Sequence, residues 1–305
     1  MSPLLLIGFA AALALLGAPR LAAAGWVARA PGLGVAAWLA LSAAIVLSAL
    51  LCGVSLLLYY DCAHLLVDDA WHLCLDALLG RSDHLARAAA LAGLAALALI
   101  GARMLHSAGH LYAADRSIRS RMRLLVRLAG TRTAVPGATV VPHPEPAAYL
   151  VPGRPADIVI TSAAVDRLAA PELSAVLAHE RGHRAGRHYE MTRWMRMLAG
   201  AFPWPRCFAD GRRQVERLLE LCADDAAART APRLDLARAL VALAGHGSPV
   251  LPAMHGGDAL ERLDRLLSPP PPLPARIRAA IASACGLLPV TPFGLAVFER
   301  SVTLL

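Results

Sequence analysis

Three histidines and two glutamates fall between Val176 and Glu190, in the run VLAHERGHRAGRHYE. His179 and His183 are four apart, so on a helix their imidazoles stack on one face within reach of a single ion. Glu180 is turned about 100° round the same helix. This is the HExxH arrangement, in which two neutral imidazoles hold Zn2+ and the glutamate stands beside them as a base. Glu180 is then not a ligand: it takes the proton of the hydrolytic water and passes it to the leaving amine. The competing reading is a solvated polar helix face that carries histidines without a metal.

A catalytic zinc needs a third protein ligand and an open position. A local candidate is offered by HERGHRAGRHY, which nearly matches HExxHxxGxxH with Gly186 in place. The third histidine belongs where Tyr189 stands, and His188 comes one residue early, so this reading is rejected. The distal candidate is QVERLLELCADDAAA, a helical stretch with Glu220 and Asp224 four apart on one face. Glu220 would complete a His-His-Glu set, and Asp224 would accept a hydrogen bond from a ligand imidazole. Glu216 and Asp225 compete for these roles, and an exposed acidic face would look the same; spacing alone does not choose.

The helices and strands that must hold these groups are legible in outline. APELSAVLAHERGH starts a helix with Pro171 suited to its first turn, Glu172 to the positive end of its dipole, and Leu173, Val176 and Leu177 at core spacing. Before it, AAYLVPGRPADIVITSAAV reads as two short strands around a turn at Pro152-Gly153. The rest of the chain points to lipid. Its 305 residues are 57% hydrophobic and 17% charged, with a mean hydropathy of +0.52, against about a quarter charged in soluble domains. Spans are expected at about 3–24, 32–60 and 85–105, the second without any charged residue. A cleaved signal peptide is the alternative for the first, disfavoured because no positive charge precedes it. A fourth span is expected from Ala279, with Pro289 and Pro292 weakening it. The SPPPPLP run at Ser268–Pro274 looks like a stiff linker back to the membrane.

Charge sets the expected orientation. The net charge is +8, carried by arginine with no lysine. Arg20 and Arg29 lie between spans one and two; Asp61, Asp68, Asp69, Asp76 and Asp83 lie between two and three, with Arg81 near the end. Arg116, Arg119, Arg121, Arg123, Arg127 and Arg132 follow span three. Positive loops stay cytoplasmic, so the N-terminus is expected outside and residues 106–278 form a cytoplasmic domain. The arginine run is read as tracking anionic lipid headgroups rather than nucleic acid, for which no aromatic-interleaved basic motif is present. Six scattered cysteines without a CxxC pair imply neither a disulfide framework nor a cysteine zinc site. Cys62 and Cys74 in the outer loop are either a disulfide or two thiols.

The strand pair with Pro152-Gly153-Arg154, the LSAVLAHERGH helix and ELCADDAAA together resemble the BlaR/MecR-type integral-membrane zinc metallopeptidases, the antirepressor family. That family carries an E-L-A-C-D-like segment on its second helix; here it reads E-L-C-A-D, with the Glu-to-Asp spacing kept. The resemblance implies Zn2+ held by His179, His183 and Glu220, Glu180 as base and Asp224 as supporting acid. It also implies a protein substrate, either a BlaI/MecI-like repressor or the chain itself, cleaved in a signalling response. One departure matters: the sequence stops at Leu305, shortly after the last apolar stretch, so no penicillin-binding sensor is expected and beta-lactam sensing is not carried over. The fold expected is mostly α, with multi-span membrane helices, a cytoplasmic α+β zincin-like domain with a small sheet (106–278) and a final span over 279–305. A substrate peptide is expected to add as a strand along Ala147, Ala148, Tyr149, Leu150 and Val151. The alternatives are a quality-control or CAAX-processing membrane protease, which shares HExxH and ExxxD, and a non-catalytic signalling scaffold. His106 and His110 beside span three, His143, His246 and His255 in loops, and His64, His72 and His84 in the outer loop are read as ordinary polar residues.

Overall fold

The computed structural model describes residues 3–57, 84–131, 135–151, 157–244 and 256–302. The outer loop with Cys62, Cys74, His64 and His72, the turn at Pro152-Gly153-Arg154, and His246 and His255 lie outside the described residues. The chain is mostly helical, with three helices long and apolar enough to cross a membrane and a small mixed sheet.

The first of these, α1 (Pro3–Ala22), is apolar all round and opens into a π turn at Leu13–Gly17 just before Pro19. The second, α2 (Pro31–Leu57), carries no charge and has about half of its most apolar window buried in protein. The third, α3 (His84–Ala129), runs for 46 residues, about 69 Å at 1.5 Å per residue. Hydropathy alone ends this span at 105. No proline interrupts the backbone there, and Gly101 and Gly109 are tolerated, so the helix continues through the arginine run and the 105/106 boundary falls inside one helix. At the crossing of α2 and α3 a Cβ on Gly93 would stand 2.5 Å from the Gly53 carbonyl oxygen. Only glycine lets the two backbones approach so closely.

Three strands form a sheet in the order β1-β3-β2: β1 (Thr139–Val141), β2 (Ala148–Val151) and β3 (Asp157–Thr161). β2 and β3 are the expected antiparallel pair, while β1, parallel to β3, was not anticipated. Its three residues, set between Gly137 and Pro142, are too few for an alternation to show. β2 lies at one edge. Thr161 Oγ1 caps the short helix α4 (Ser162–Arg167) by accepting from the Ala164 amide, and also accepts from the Ala147 amide at 2.9 Å.

Five helices complete this region: α5 (Ala170–Ala185), α6 (His188–Ala201), α7 (Cys207–Ala227), α8 (Arg233–Ala244) and α9 (Gly256–Leu267). Leu173, Val176 and Leu177 of α5 pack on Ile158 and Ile160 of the sheet, as their spacing predicts. The apolar faces of α6 and α7 do not close on a separate core. Met195 and Leu198 of α6 and Val215, Leu218 and Leu221 of α7 bury against Trp38, Leu41 and Ile45 of α2. A span and the helices of the expected cytoplasmic domain therefore share one hydrophobic core. Residues 23–30, which join α1 to α2, dock at the same end: Arg265 Nε donates to the Ala28 carbonyl (3.1 Å) and Arg29 Nε to the Pro271 carbonyl (3.1 Å).

The stretch expected as a single final span from Ala279 is two helices, α10 (Ala275–Leu287) and α11 (Thr291–Val302), bent by 52°. Pro289 and Pro292 each lack an amide donor and crowd the preceding turn, which breaks the helix between them. Only together does the pair pass for a span, or for a re-entrant loop.

Candidate metal centre

The N-terminus of α5 is closed as its sequence suggests, with the Glu172 carboxylate accepting from the Ala169 amide at 3.0 Å. Two turns on, His179 and His183 project toward α7. Gly182 sets how near α7 can come: a Cβ there would meet the Ala226 Cβ at 3.0 Å and the Ala223 Cα at 3.3 Å. That close approach carries Glu220 to the imidazole pair.

His179 Nε2 and His183 Nε2 are 3.0 Å apart. Glu220 Oε2 lies 3.5 Å from the first and its Oε1 3.4 Å from the second. With zinc bonds of about 2.0–2.1 Å, tetrahedral donors sit about 3.3 Å from one another. The three residues therefore fit one zinc ion, on donor types that match it. Glu180 is buried beside them, 8% exposed, in a cleft of about 340 Å³ that α3, β2, α6 and α7 also line.

The rival carboxylates are drawn elsewhere. Glu216 accepts from Arg196 Nε at 2.9 Å, and Asp225 takes both terminal nitrogens of Arg265 at 2.6 and 2.7 Å. Asp224 is 1% exposed, and its Oδ1 sits 2.9 Å from His179 Nδ1, close enough to hold the ring by charge though out of line for a directed hydrogen bond. His188 is not in the donor triangle. Its Nδ1 lies 2.9 Å from the Nδ1 of His183, on the far side of that ring from Glu220, where it buttresses the imidazole. Arg187, in the left-handed region at φ 51°, makes the turn that swings it there. Tyr189, standing where a third histidine would fall in the longer motif, donates to the Asp115 carboxylate of α3 and ties α6 to the third apolar helix.

Of the expected substrate strand, Ala147, Ala148 and Val151 are buried, and the segment Tyr149, Leu150 and Val151 lines the cleft. His106 and His110 stack at 4.5 Å on α3 and gather no third donor among the described residues. The sequence reading missed Arg262, which is 6% exposed and bonds both Glu220 and Asp224. Its only signal was a charge on the buried face of α9, one turn before Leu266.

The segment that carries this helix is similar to a known family. Residues 112–205 match the model of Peptidase family M48. The match covers under half of the chain. It takes in the end of α3, the sheet, α5 and α6, hence His179, Glu180 and His183, and stops short of Glu220. The match is consistent with a zinc metallopeptidase, and the apolar helices with association with a membrane; it does not show BlaR/MecR-type specificity. Searches of curated proteins and of solved structures return no match.

The charges agree with a metal centre. Burial pushes the Glu180 carboxyl up from its ordinary range, against the pull of His179 and His183. Burial acts the same way on Glu220, yet His179, His183 and Arg262 hold it well below that range. His188 is pushed down to about 4 by burial and by His183, so it is a neutral partner. Burial lowers His179, but Asp224 and Glu220 more than reverse this and carry it to about 9. Zinc loading must displace that proton. Calorimetric titration of zinc into the apo-protein in buffers of different ionisation heat is expected to show about one proton released per ion at pH 7. Affinity should then rise about tenfold per pH unit toward pH 9.

Proposed function

We propose that this chain is a membrane-embedded zinc endopeptidase whose active site opens on the cytoplasmic side. The observation that carries the reading is the triangle of His179, His183 and Glu220 donors with a buried Glu180 beside it. Bound zinc would polarise a peptide carbonyl and make a water molecule more acidic. The chain's own residues do the rest. Glu180, its carboxyl raised by burial, takes the proton of the attacking water and returns it to the departing amine. Asp224 fixes the tilt of His179, and His188 that of His183. β2 is an edge strand of the sheet and its Tyr149–Val151 segment lines the cleft, so an extended peptide could add alongside it.

The cytoplasmic assignment rests on charge. Arg20 and Arg29 belong to the end of α1 and the loop docked against α9, and Arg116 to Arg127 lie on the extension of α3 that lines the cleft. These arginines flank the apolar helices on the side of the site, and the positive-inside rule assigns such flanks to the cytoplasm, which supports this orientation. The substrate is a protein, either a repressor of the BlaI/MecI kind or the chain itself; this finer reading rests on the E-L-C-A-D resemblance. A quality-control or CAAX-processing protease is the second reading, kept because the M48 match brings no antirepressor specificity. Purified protein in detergent, loaded with zinc, is expected to cut repressor-like peptides and to stop on chelation. Prenylated peptides cut in preference would select the second reading, and cleavage that survives chelation would refute both.

A further inference from the structure

Arg262 comes from α9, far along the chain from the donor triangle, and is nearly sealed from solvent. Its Nε and Nη2 take the two oxygens of Asp224, each at 2.7 Å, and its Nη1 reaches Glu220 Oε2 at 2.9 Å. Leu266, one turn on, packs with Ala175 of α5 and Ala227 of α7, so the helix backbone that carries the guanidinium is itself clamped against both site helices. Glu220 and Asp224 are like charges four apart on one helix face, which repel. A single buried cation between them offsets that repulsion and fixes both rotamers.

We infer that Arg262 is a positioning residue for the metal centre: it holds Glu220 through Oε2, leaving Oε1 toward His183 as the donor oxygen, and it holds Asp224 against His179. This rests on the zinc reading above. An arginine is needed because its planar fork satisfies two carboxylates at once, where a lysine ammonium is one point charge. Arg262 is not among the residues that line the cleft. It acts through Glu220 and Asp224.

The test is metal binding by the full-length protein in detergent, comparing wild type with Arg262→Met and Arg262→Lys. Zinc affinity is read by competition with a chromophoric chelator, and donor geometry by the visible absorption of Co2+ in the same site. Loss of a partner behind the ligands lowers metal affinity by about 10–100-fold. That loss is expected for Arg262→Met, with a smaller loss for Arg262→Lys and a shifted Co2+ spectrum in both. Affinity and spectrum unchanged in a folded variant would overturn the inference. Tighter binding in Arg262→Met would also overturn it, by making the guanidinium a competitor for Glu220. Should the methionine variant fail to fold, the lysine variant decides by the same criteria. A wild type that binds neither Zn2+ nor Co2+ would instead remove the metal centre itself.

Discussion

Replacing Glu180 by glutamine is expected to lower peptide cleavage by about 10²–10⁴-fold while leaving the zinc content unchanged. The side chain keeps its shape and volume, so the packing of α5 on the sheet and on α7 survives. What goes is the carboxylate that accepts the water proton, worth about 2.7–5.4 kcal/mol of barrier on that range. Glu180 is not among the three donors that converge, so metal stoichiometry should not follow activity. The measurement is paired: zinc by elemental analysis and product by mass spectrometry, on the same preparation. In cells the same variant should lose whatever self- or repressor fragments the wild type produces. Identical fragments from both proteins would show that Glu180 is not the base, and would turn the reading toward a scaffold that keeps the helix pair without the chemistry.

Glu220→Ala should do the opposite and remove the ion. Losing a direct donor must cost more than the roughly 10–100-fold typical of a residue behind the ligands, so near-stoichiometric zinc in the wild type should fall to a trace after dialysis. The control is built into the same helix. Glu216→Ala, which only deprives Arg196 of its partner, should retain the metal. Equal zinc in Glu220→Ala and wild type would break the His-His-Glu assignment. Loss in both alanine variants would indicate that α7 had unfolded, which a helical circular-dichroism comparison separates.

The parts of this site legible in the sequence are those that one helix decides. His179, Glu180 and His183 hold their mutual geometry because 3.6 residues make a turn, whatever the rest of the chain does. The same holds for the pairing of β2 with β3 across a short turn, for the apolar spans, and for the weakness at Pro289 and Pro292, although the outcome there is two bent helices instead of one. The continuation of α3 past residue 105, through Gly109, was not read from the sequence. Hydropathy alone marks where lipid ends and says nothing about where a helix does.

Other features were decided only when helices met. Glu216, Glu220, Asp224 and Asp225 are chemically alike and lie within three turns of one another, so nothing local ranks them. The ranking comes from Gly182, which lets α7 approach α5 closely at Ala223 and Ala226, and from Arg196 and Arg265, which draw two of the acids away. Arg262 was invisible for the same reason: a guanidinium on an amphipathic helix shows its partners only once that helix is packed. The shared core of α2 with α6 and α7 is a further case, since an apolar face turned to lipid and one turned to protein have the same composition. By itself the sequence determined the helices, the apolar stretches and the mutual placement of His179, Glu180 and His183, because those follow from backbone periodicity and hydrophobicity. Spacing left the third acid open and only the family resemblance named Glu220. That Glu220 meets the two imidazoles, that Arg262 joins it, and that α2 is buried against α6 and α7 are matters of tertiary contact, because close approach between distant segments depends on side-chain shape and charge at positions that no periodicity links.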